Sequence, residues 1–108
     1  MLECSVIILN WNGEAMLRRY LPSVIQYTQL EGVEIVVADN GSTDASLEFL
    51  HSQPVRIIEL GENLGFAEGY NRAIEQVESK YVVLLNSDVE VTSNWLDTLL
   101  NYARAHGE

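Results

Sequence analysis

The chain has 108 residues, of which 16 are acidic and six are basic, and its formal net charge is −10. This charge argues against nucleic acid and anionic membrane surfaces as partners, because both are polyanions. Hydrophobic residues make up 47% of the sequence, so one domain can bury a core, and the single cysteine, Cys4, is predicted to be a core thiol in a reducing compartment. No stretch approaches the roughly 18 apolar residues of a membrane span, which predicts a cytoplasmic protein with no transmembrane segment.

Apolar strands alternate with amphipathic helices from the start of the chain. The first predicted strand, Cys4 to Leu9, ends at the turn-forming cluster Asn10 to Gly13. An apolar stripe with helical spacing then predicts a helix and is formed by Met16, Leu17, Tyr20, Leu21, Val24 and Ile25. Pro22 falls inside this stripe and removes a helical hydrogen bond, so we expect a kink or two short helices.

The second strand and the second helix are separated by a polar turn. Val33 to Ala38 forms the strand, Asp39 follows it, and Asn40-Gly41 makes the turn. Residues 42–44, Ser-Thr-Asp, then offer N-cap chemistry for a short helix.

The third strand is more polar than the first two. Val55 to Leu60 contains Arg56 and Glu59, which indicates an exposed position such as a sheet edge. After the loop Gly61 to Gly65, a third helix is predicted from an apolar stripe formed by Phe66, Tyr70, Ala73, Ile74 and Val77.

The fourth strand is apolar throughout and ends in a polar cluster. Tyr81 to Leu85 has no polar face, so we expect other structure to cover both of its sides. Asn86, Asp88 and Glu90 follow, and their oxygens suit a hard cation such as Mg²⁺ or Mn²⁺. The same residues can instead begin a turn that leads into the last helix. That helix is expected to begin near Thr92 or Ser93 and to bury Trp95, Leu96, Leu99, Leu100 and Ala103.

Strict alternation predicts a single α/β domain over residues 1–108, in which a mainly parallel sheet lies between two layers of helices. The first and fourth strands are the most apolar and should be central, which favours the strand order 3-2-1-4. Ligands of open α/β sheets bind outside the carboxyl ends of the strands. We therefore expect Asn10 to Asn12, Asp39 and Asn86 to Asp88 to line one crevice.

Five segments, taken in order, resemble family 2 glycosyltransferases of the GT-A fold. They are Ser5 to Asn12 (SVIILNWN), Val36 to Asp44 (VVADNGSTD), Asn63 to Gly65 (NLG), Gly69 to Arg72 (GYNR) and Leu84 to Asp88 (LLNSD). The resemblance covers essentially the whole chain, corresponds to the N-terminal nucleotide-sugar-binding half of these enzymes, and is most similar to the rhamnosyltransferase-like branch. It implies a UDP- or dTDP-sugar donor and inverting transfer to a glycan or lipid-linked acceptor. It also implies a role in cell wall polysaccharide biosynthesis, in the cytoplasm or at the inner face of the membrane.

The resemblance also implies roles for individual residues. Asp39 would accept a hydrogen bond from N3–H of uracil or thymine, while Asn10, Trp11 and Asn12 would flank the base and ribose. The other nucleotide-binding residues that it implies are Asp44, Asn63, Gly65, Asn71, Arg72 and Asn86. Structural roles stay open for four of these residues. Asp39 can open the turn, Asp44 can stabilise a helix N-terminus, and Arg72 can be solvated. A lone aromatic such as Trp11 is more often a core residue.

The implied metal ligand is Asp88, which would bind Mn²⁺ or Mg²⁺ and so neutralise charge on the departing nucleoside diphosphate. Asn86 stands where the family more commonly has the first carboxylate of Asp-x-Asp. An amide is neutral and a weaker ligand, so Asn86 would bind ribose or water instead. Glu90 would restore a second negative charge, although its spacing does not match the family's motif.

Family members continue for about another domain, which carries the acceptor site and the carboxylate general base of inverting transfer. Asp97 and Glu108, on or after the last helix, are poorly placed to act as that base. We therefore expect this chain alone to transfer no sugar, as part of a longer enzyme or as a non-catalytic nucleotide-sugar-binding module. An apolar sheet edge beside the fourth strand also predicts a homo-oligomer.

Two other classes of α/β protein fit the residues less well. A response-regulator receiver domain needs an acidic pair after its first strand and a lysine late in the fold. This chain has Asn10 to Asn12 after that strand, and its only lysine, Lys80, begins a strand. A nucleotidyltransferase needs a basic, Gly-rich loop, for which residues 12–14 (Asn-Gly-Glu) are a poor substitute.

Overall fold

The computed structural model describes residues 1–106, in which four strands alternate strictly with four helices. The strands are β1 (Leu2–Asn10), β2 (Val33–Asp39), β3 (Arg56–Glu59) and β4 (Ser79–Leu85), and the helices are α1 (Glu14–Gln26), α2 (Ser46–His51), α3 (Phe66–Ile74) and α4 (Trp95–Ala105). The strand pairs are parallel and the order is β3-β2-β1-β4. The predicted fold class and strand order are confirmed, and β3 lies at an edge as its polar residues indicated.

The side chains of the central strands alternate between two apolar layers, because successive residues of a strand point to opposite faces of a sheet. On one face Ile8 and Val37 pack with residues of α1 and α2, namely Leu17, Leu21, Val24 and Leu50. On the other face Ile7 and Val36 pack with α3 through Tyr70 and Ala73. A third cluster joins β1 to α4 through Cys4, Val6, Leu96 and Leu100. The sheet therefore forms the middle layer of three.

Helix α1 runs without interruption through Pro22, so the expected division into two short helices was wrong. Leu17 lies before the proline and Leu21 and Val24 lie around it, and these buried side chains belong to one core cluster. Their packing outweighs the loss of one helical hydrogen bond, since tertiary contacts supply most of the stability of helices in proteins.

Strand β4 is the outer strand of the described sheet and is covered less than its sequence indicated. Tyr81, Val83 and Leu85 pack beneath α4 on one face. On the other face Val82 is 37% and Leu84 49% exposed, because α3 packs mainly on β1 and β2 and reaches β4 through the hydrogen bond from the Tyr70 hydroxyl to the Leu85 carbonyl. The expectation that both faces of β4 are covered was wrong, whereas the expected apolar edge is present.

The helix boundaries and apolar stripes also differ from the predictions in places. α4 begins at Trp95 and not at residue 92 or 93, because Asn94 has a left-handed backbone (φ 65°) that a helix does not accept. Four side chains predicted to be buried are exposed, since each stripe is wider than the face its helix buries: Met16, Phe66, Ile74 and Leu99. No helix in residues 1–106 is long and apolar enough to cross a membrane. The expected role of Glu108 lies outside the described residues.

Candidate functional site

The carboxyl ends of β1 and β2 bring Asn10 and Asp39 side by side. The two residues are partners in the parallel ladder, and they are 1% and 2% exposed. The Asn10 side-chain amide donates a hydrogen bond from Nδ2 to Asp39 Oδ1 at 2.9 Å. Because Ile8 pairs with Leu85 in the same sheet, β4 ends at this edge as well and delivers Asn86 to it.

The Asp39 carboxylate is the centre of a buried hydrogen-bond network. Its Oδ1 accepts from Asn10 Nδ2 and from the Ser42 hydroxyl, the latter at 2.6 Å, and its Oδ2 accepts from the Ser42 backbone N–H at 2.9 Å. A buried carboxylate is tolerated only where donors compensate for the lost water, and these donors do so. Oδ2 accepts this one hydrogen bond and therefore keeps acceptor capacity for a further donor.

The loop after β1 and the loop after β2 are joined by reciprocal hydrogen bonds. Asn12 Oδ1 accepts from the backbone N–H groups of Thr43 and Asp44, at 2.7 and 3.2 Å. In return, Asp44 Oδ2 accepts at 3.2 Å from the backbone N–H of Glu14, the first residue of α1. Gly13, the N-cap residue of α1, has no side chain, so the neighbouring loop supplies the capping group that it lacks.

Asp44 also connects this pair of loops to α2, because its Oδ1 accepts from the Ser46 backbone N–H at 2.9 Å. Burial opposes ionisation of Asp44, but hydrogen bonds from Ser46 and Glu14 outweigh it and hold the pKa of Asp44 below its ordinary value of 3.8. The sequence predicted N-cap chemistry here, and Asp44 provides it from one position before the N-cap residue, Ala45. The structural role considered for Asp44 is therefore present.

Trp11 is 54% exposed, so the expectation that a lone aromatic lies in the core was wrong. The preceding residue, Asn10, takes the last buried position of β1, and the chain then turns outward through Asn12, whose backbone is left-handed (φ 50°). The indole of Trp11 consequently lies at the surface, and Trp11 directly follows Asn10 of the Asn10–Asp39 pair in the sequence.

The segment before α3 carries the next two predicted residues. Asn63 Oδ1 accepts from the Gly65 backbone N–H at 2.9 Å, which closes a tight turn. Gly65 has a φ of 85°, and no atom lies within 4 Å of where a Cβ would be. Glycine is thus required at position 65 by backbone conformation, and the space beside it is open.

Arg72 and Asn71 lie on the exposed side of α3. Arg72 Nε donates to Glu68 Oε2 at 2.7 Å, an ion pair one helical turn apart within α3. The guanidinium group is therefore held at the helix surface by its own helix. Surface pairs of this kind contribute only about 0–1 kcal/mol, so an anionic ligand can replace Glu68 at little cost.

Asn86, Asp88 and Glu90 follow β4 in a turn and all three are exposed. Within residues 1–106, none of the ion pairs involves Asp88 or Glu90. The same part of the chain contains no group of three or more His, Cys, Asp or Glu side chains that could hold a metal ion. The donors present suit Mg²⁺ or Mn²⁺, which bind through one or two carboxylates and complete their coordination with substrate phosphates and water.

Open cavities lie at the other end of the sheet. One of about 430 Å³ is lined by Thr28, Leu30, Glu34 and Arg56, and one of about 530 Å³ by Glu3, Leu30, Asp97 and Arg104 among others. The cations in both are already paired, Arg56 with Glu34 and Arg104 with Glu3. We therefore assign the functional site by the chemistry of the strand ends and not by cavity volume.

The sequence analysis did not single out Ser42 as a site residue. Its hydroxyl donates to Asp39, and it accepts from Asn10 Nδ2 at 3.2 Å and from the Asn12 backbone N–H at 2.9 Å. An aspartate three residues before a serine in a glycine-containing turn is a recognisable signal, because Asp side chains bond backbone N–H groups a few residues on.

Comparison with known proteins identifies the family and the fold of the chain. A family model described as Glycosyl transferase family 2 matches residues 5–108. The chain belongs to this family. Among curated relatives, a teichoic acid poly(glycerol phosphate) polymerase of Staphylococcus epidermidis is 29% identical over 84% of the chain, which spans 13% of the polymerase.

Solved structures confirm the GT-A fold of this glycosyl transferase family 2 chain. S. aureus TarS 1-349 in complex with UDP-GlcNAc has a TM-score of 0.85 and 24% identity over 97% of the chain. Mannosyltransferase PcManGT from Pyrobaculum calidifontis, in complex with GDP-Man and Mn²⁺, has a TM-score of 0.76 and 23% identity over 92% of the chain. The chain spans 32% and 30% of these two proteins, so it corresponds to about a third of each.

Proposed function

We propose that the chain is the donor-binding part of a family 2 glycosyltransferase, which binds a UDP- or dTDP-sugar with Mn²⁺ or Mg²⁺ for inverting transfer to an acceptor hydroxyl. The observation that carries this proposal is the network of Asn10, Asp39 and Ser42 at the strand ends, beside the turn that carries Asp88. Relatives of the same fold bind UDP-GlcNAc, or GDP-Man with Mn²⁺, which supports a nucleotide-sugar ligand.

Base recognition is assigned to Asp39, whose Oδ2 retains acceptor capacity. It would accept the N3–H of uracil or thymine, whereas the N3 of cytosine is itself an acceptor. Asn10 and Ser42 hold the carboxylate in place, and Asn12 fixes the adjoining loop. The exposed Trp11 indole is available to flank the base and ribose, as aromatic faces do in many nucleotide sites.

The phosphate end of the donor is assigned to the turn after β4 and to α3. Asp88 is the proposed metal ligand, with Glu90 as a second carboxylate nearby in the turn and Asn86 toward the ribose or a bound water. When bound, the cation supplies Lewis-acid stabilisation of the leaving nucleoside diphosphate. Asn63, Gly65, Asn71 and Arg72 would line the opposite side, with Arg72 exchanging its Glu68 partner for the anionic donor.

The whole enzyme's acceptor and location are also proposals. The proposed acceptor is a glycan or a lipid-linked molecule, and the proposed place of transfer is the cytoplasm or the inner face of the membrane, in cell wall polysaccharide biosynthesis. The relative from Staphylococcus epidermidis that supports this proposal is a teichoic acid poly(glycerol phosphate) polymerase. The rhamnosyltransferase-like branch stays a prediction from Asn86-Ser87-Asp88. The chain alone is expected to bind a donor without transferring its sugar, since inverting transfer needs a general base within reach of the acceptor.

Calorimetric titration with UDP, with and without Mn²⁺, tests the proposal. UDP should bind more tightly with Mn²⁺, and Asp88→Ala should remove most of that increment. Glu78→Ala is the matched control, because Glu78 is an exposed carboxylate just before the other end of β4 and its removal changes the net charge equally. An Asp88→Ala variant that keeps the full metal increment, or a Glu78→Ala variant that loses it, would contradict the ligand assignment.

A further inference from the structure

One buried side chain, Asn40, connects the end of β2 to the start of α3. Asn40 is 2% exposed. Its Nδ2 donates to Asn63 Oδ1 at 3.2 Å and to the Gly65 carbonyl at 3.1 Å, and its Oδ1 accepts from the Leu64 backbone N–H at 3.0 Å. A single amide thus bonds each residue of the Asn63–Gly65 segment.

The contact with Gly65 bears directly on the orientation of α3. The Gly65 carbonyl also accepts from the Gly69 backbone N–H at 3.0 Å, which is the first hydrogen bond of that helix. The Asn40 backbone N–H donates to the Asn10 carbonyl at 2.8 Å, so the same residue is anchored to the end of β1. Asn40 therefore fixes the first turn of α3 relative to the Asn10–Asp39 network.

Two glycines leave room for this connection. A Cβ at Gly41 would lie 2.6 Å from the Glu62 Cα, and one at Gly69 would lie 3.0 Å from Asn40 Nδ2 and 2.9 Å from a Leu9 methyl carbon. The distances of 2.6 and 2.9 Å are shorter than real Cβ contacts allow and the one of 3.0 Å is tight, so larger residues would push the segment away from β2. Close approach on both sides of Asn40 indicates that its position is set by tight packing.

We propose that Asn40 is a positioning residue for donor binding: it holds the Asn63–Gly65 segment and the start of α3 against the base-recognition network. The inference rests on the proposed function, because its consequence is that the two sides of the crevice are pre-assembled before the donor arrives. The hydrogen bonds from Asn40 to the Asn63–Gly65 segment act as a clamp, and their loss would leave the segment ordered only part of the time. The apparent affinity for the donor then falls in proportion to the ordered fraction.

The test compares Asn40→Ala with Thr28→Val, measuring UDP affinity, global stability and amide hydrogen exchange. Thr28 is also buried, and its Oγ1 accepts from Trp95 Nε1 at 3.0 Å beside a cavity at the far end of the sheet. Asn40→Ala should weaken UDP binding about tenfold and speed exchange at Leu64 and Gly65, while Thr28→Val lowers stability without either effect. The proposal would be overturned if Thr28→Val weakened UDP binding as much as Asn40→Ala at the same loss of stability. It would also be overturned if exchange at Leu64 were unchanged in Asn40→Ala.

Asn40→Asp keeps the test decisive if the alanine variant does not fold. A carboxylate retains an acceptor for the Leu64 N–H but removes both Nδ2 donations and repels Asn63 Oδ1, the acceptor of the Gly65 N–H. Exchange should therefore accelerate at Gly65 and stay slow at Leu64. Slow exchange at both amides in Asn40→Asp would overturn the proposal that Asn40 holds the Asn63–Gly65 segment. If the unmodified chain binds no nucleotide, the proposed function fails, and the exchange measurements still decide whether Asn40 holds the segment.

Discussion

Replacing Asp39 with asparagine should destabilise the chain strongly, because this substitution changes one atom of a buried carboxylate whose two oxygens both accept hydrogen bonds. Oδ1 accepts from Asn10 and from the Ser42 hydroxyl, and Oδ2 accepts from the Ser42 backbone N–H. If the amide oxygen takes the Oδ1 position, the amide NH₂ group faces the Ser42 N–H and two donors oppose each other. The other orientation opposes NH₂ to the Asn10 amide instead.

The magnitude follows from these contacts. Hydrogen bonds to a charged group contribute about 1.5–3 kcal/mol each, compared with about 0.5–1.5 kcal/mol for neutral pairs. Asp39→Asn loses one charged hydrogen bond and converts the other two to neutral ones, which removes about 3–6 kcal/mol. A neutral amide costs less to bury than a carboxylate and so offsets part of this, and we expect a net loss of about 2–4 kcal/mol in the free energy of unfolding. Domains of this size have about 5–15 kcal/mol in total, so the variant should be visibly less stable.

Urea denaturation, followed by the fluorescence of the half-buried Trp95, measures this loss. With a slope of about 1–3 kcal/mol per molar urea, the midpoint should fall by about 1–2 M. Asp88→Asn makes the same chemical change at an exposed position and should stay within about 0.5 kcal/mol of the parent chain. Equal midpoints for the two variants would refute the central role given to the Asp39 carboxylate.

Four further outcomes are expected. Burial, with the nearby Glu3 charge, raises the pKa of Cys4 to about 11, so the thiol should react with a disulfide reagent only after unfolding; rapid reaction of the native chain would contradict this. The lowered pKa of Asp44 means that its contribution to stability is complete above 3.8 and is lost as pH falls through its folded pKa. The difference in the free energy of unfolding between the parent chain and Asp44→Asn, measured by urea denaturation, should therefore disappear in acid. A difference that is constant with pH would exclude this contribution of ionised Asp44. The exposed apolar edge of β4 predicts self-association, so sedimentation should detect a concentration-dependent dimer that Leu84→Lys weakens and that the same change at exposed Leu99, on α4, leaves unchanged; a monomer at all concentrations would contradict this. Incubation with labelled nucleotide-sugars and glycan acceptors should give no acceptor-dependent transfer, and turnover at ordinary enzyme rates would show that the chain carries its own base.

The fold was predictable because its local and global signals agree. Three of the strands are apolar runs, all four end at or are followed by Gly, Asn or Asp, and strict alternation with helices leaves few topologies for a parallel sheet. The errors arise where tertiary contacts decide the outcome. Pro22 predicted a break, but the packing of Leu21 and Val24 keeps α1 continuous. Val82 and Leu84 predicted burial, but α3 lies mainly over β1 and β2, and both side chains stay partly exposed.

The sequence predicted that the strand-end residues lie together, but it did not predict the hydrogen bonds between them. Parallel register places Asn10 beside Asp39 once the strand order is known. The hydrogen bonds that the Asn12 and Asp44 side chains accept from the opposite loop depend on how the two loops approach each other, and residue spacing carries no information about that. The clamp at Asn40 is a similar case, since it acts on residues more than twenty positions away in the sequence. Arg72 could be placed on α3 from its pattern, but its pairing with Glu68 competes with the ligand role.

Amide chemical-shift mapping, with UDP and Mg²⁺ added to the chain, tests most directly whether the strand ends are the nucleotide site. We expect the largest changes at Asn12, Ser42, Gly65 and Asp88, which follow β1, β2, β3 and β4 at their carboxyl ends. The cavities at the other end of the sheet, lined by residues such as Gln29 and Arg56, should give no response. Changes confined to those cavities, or no changes at concentrations where Mn²⁺-dependent binding is seen, would contradict the assignment.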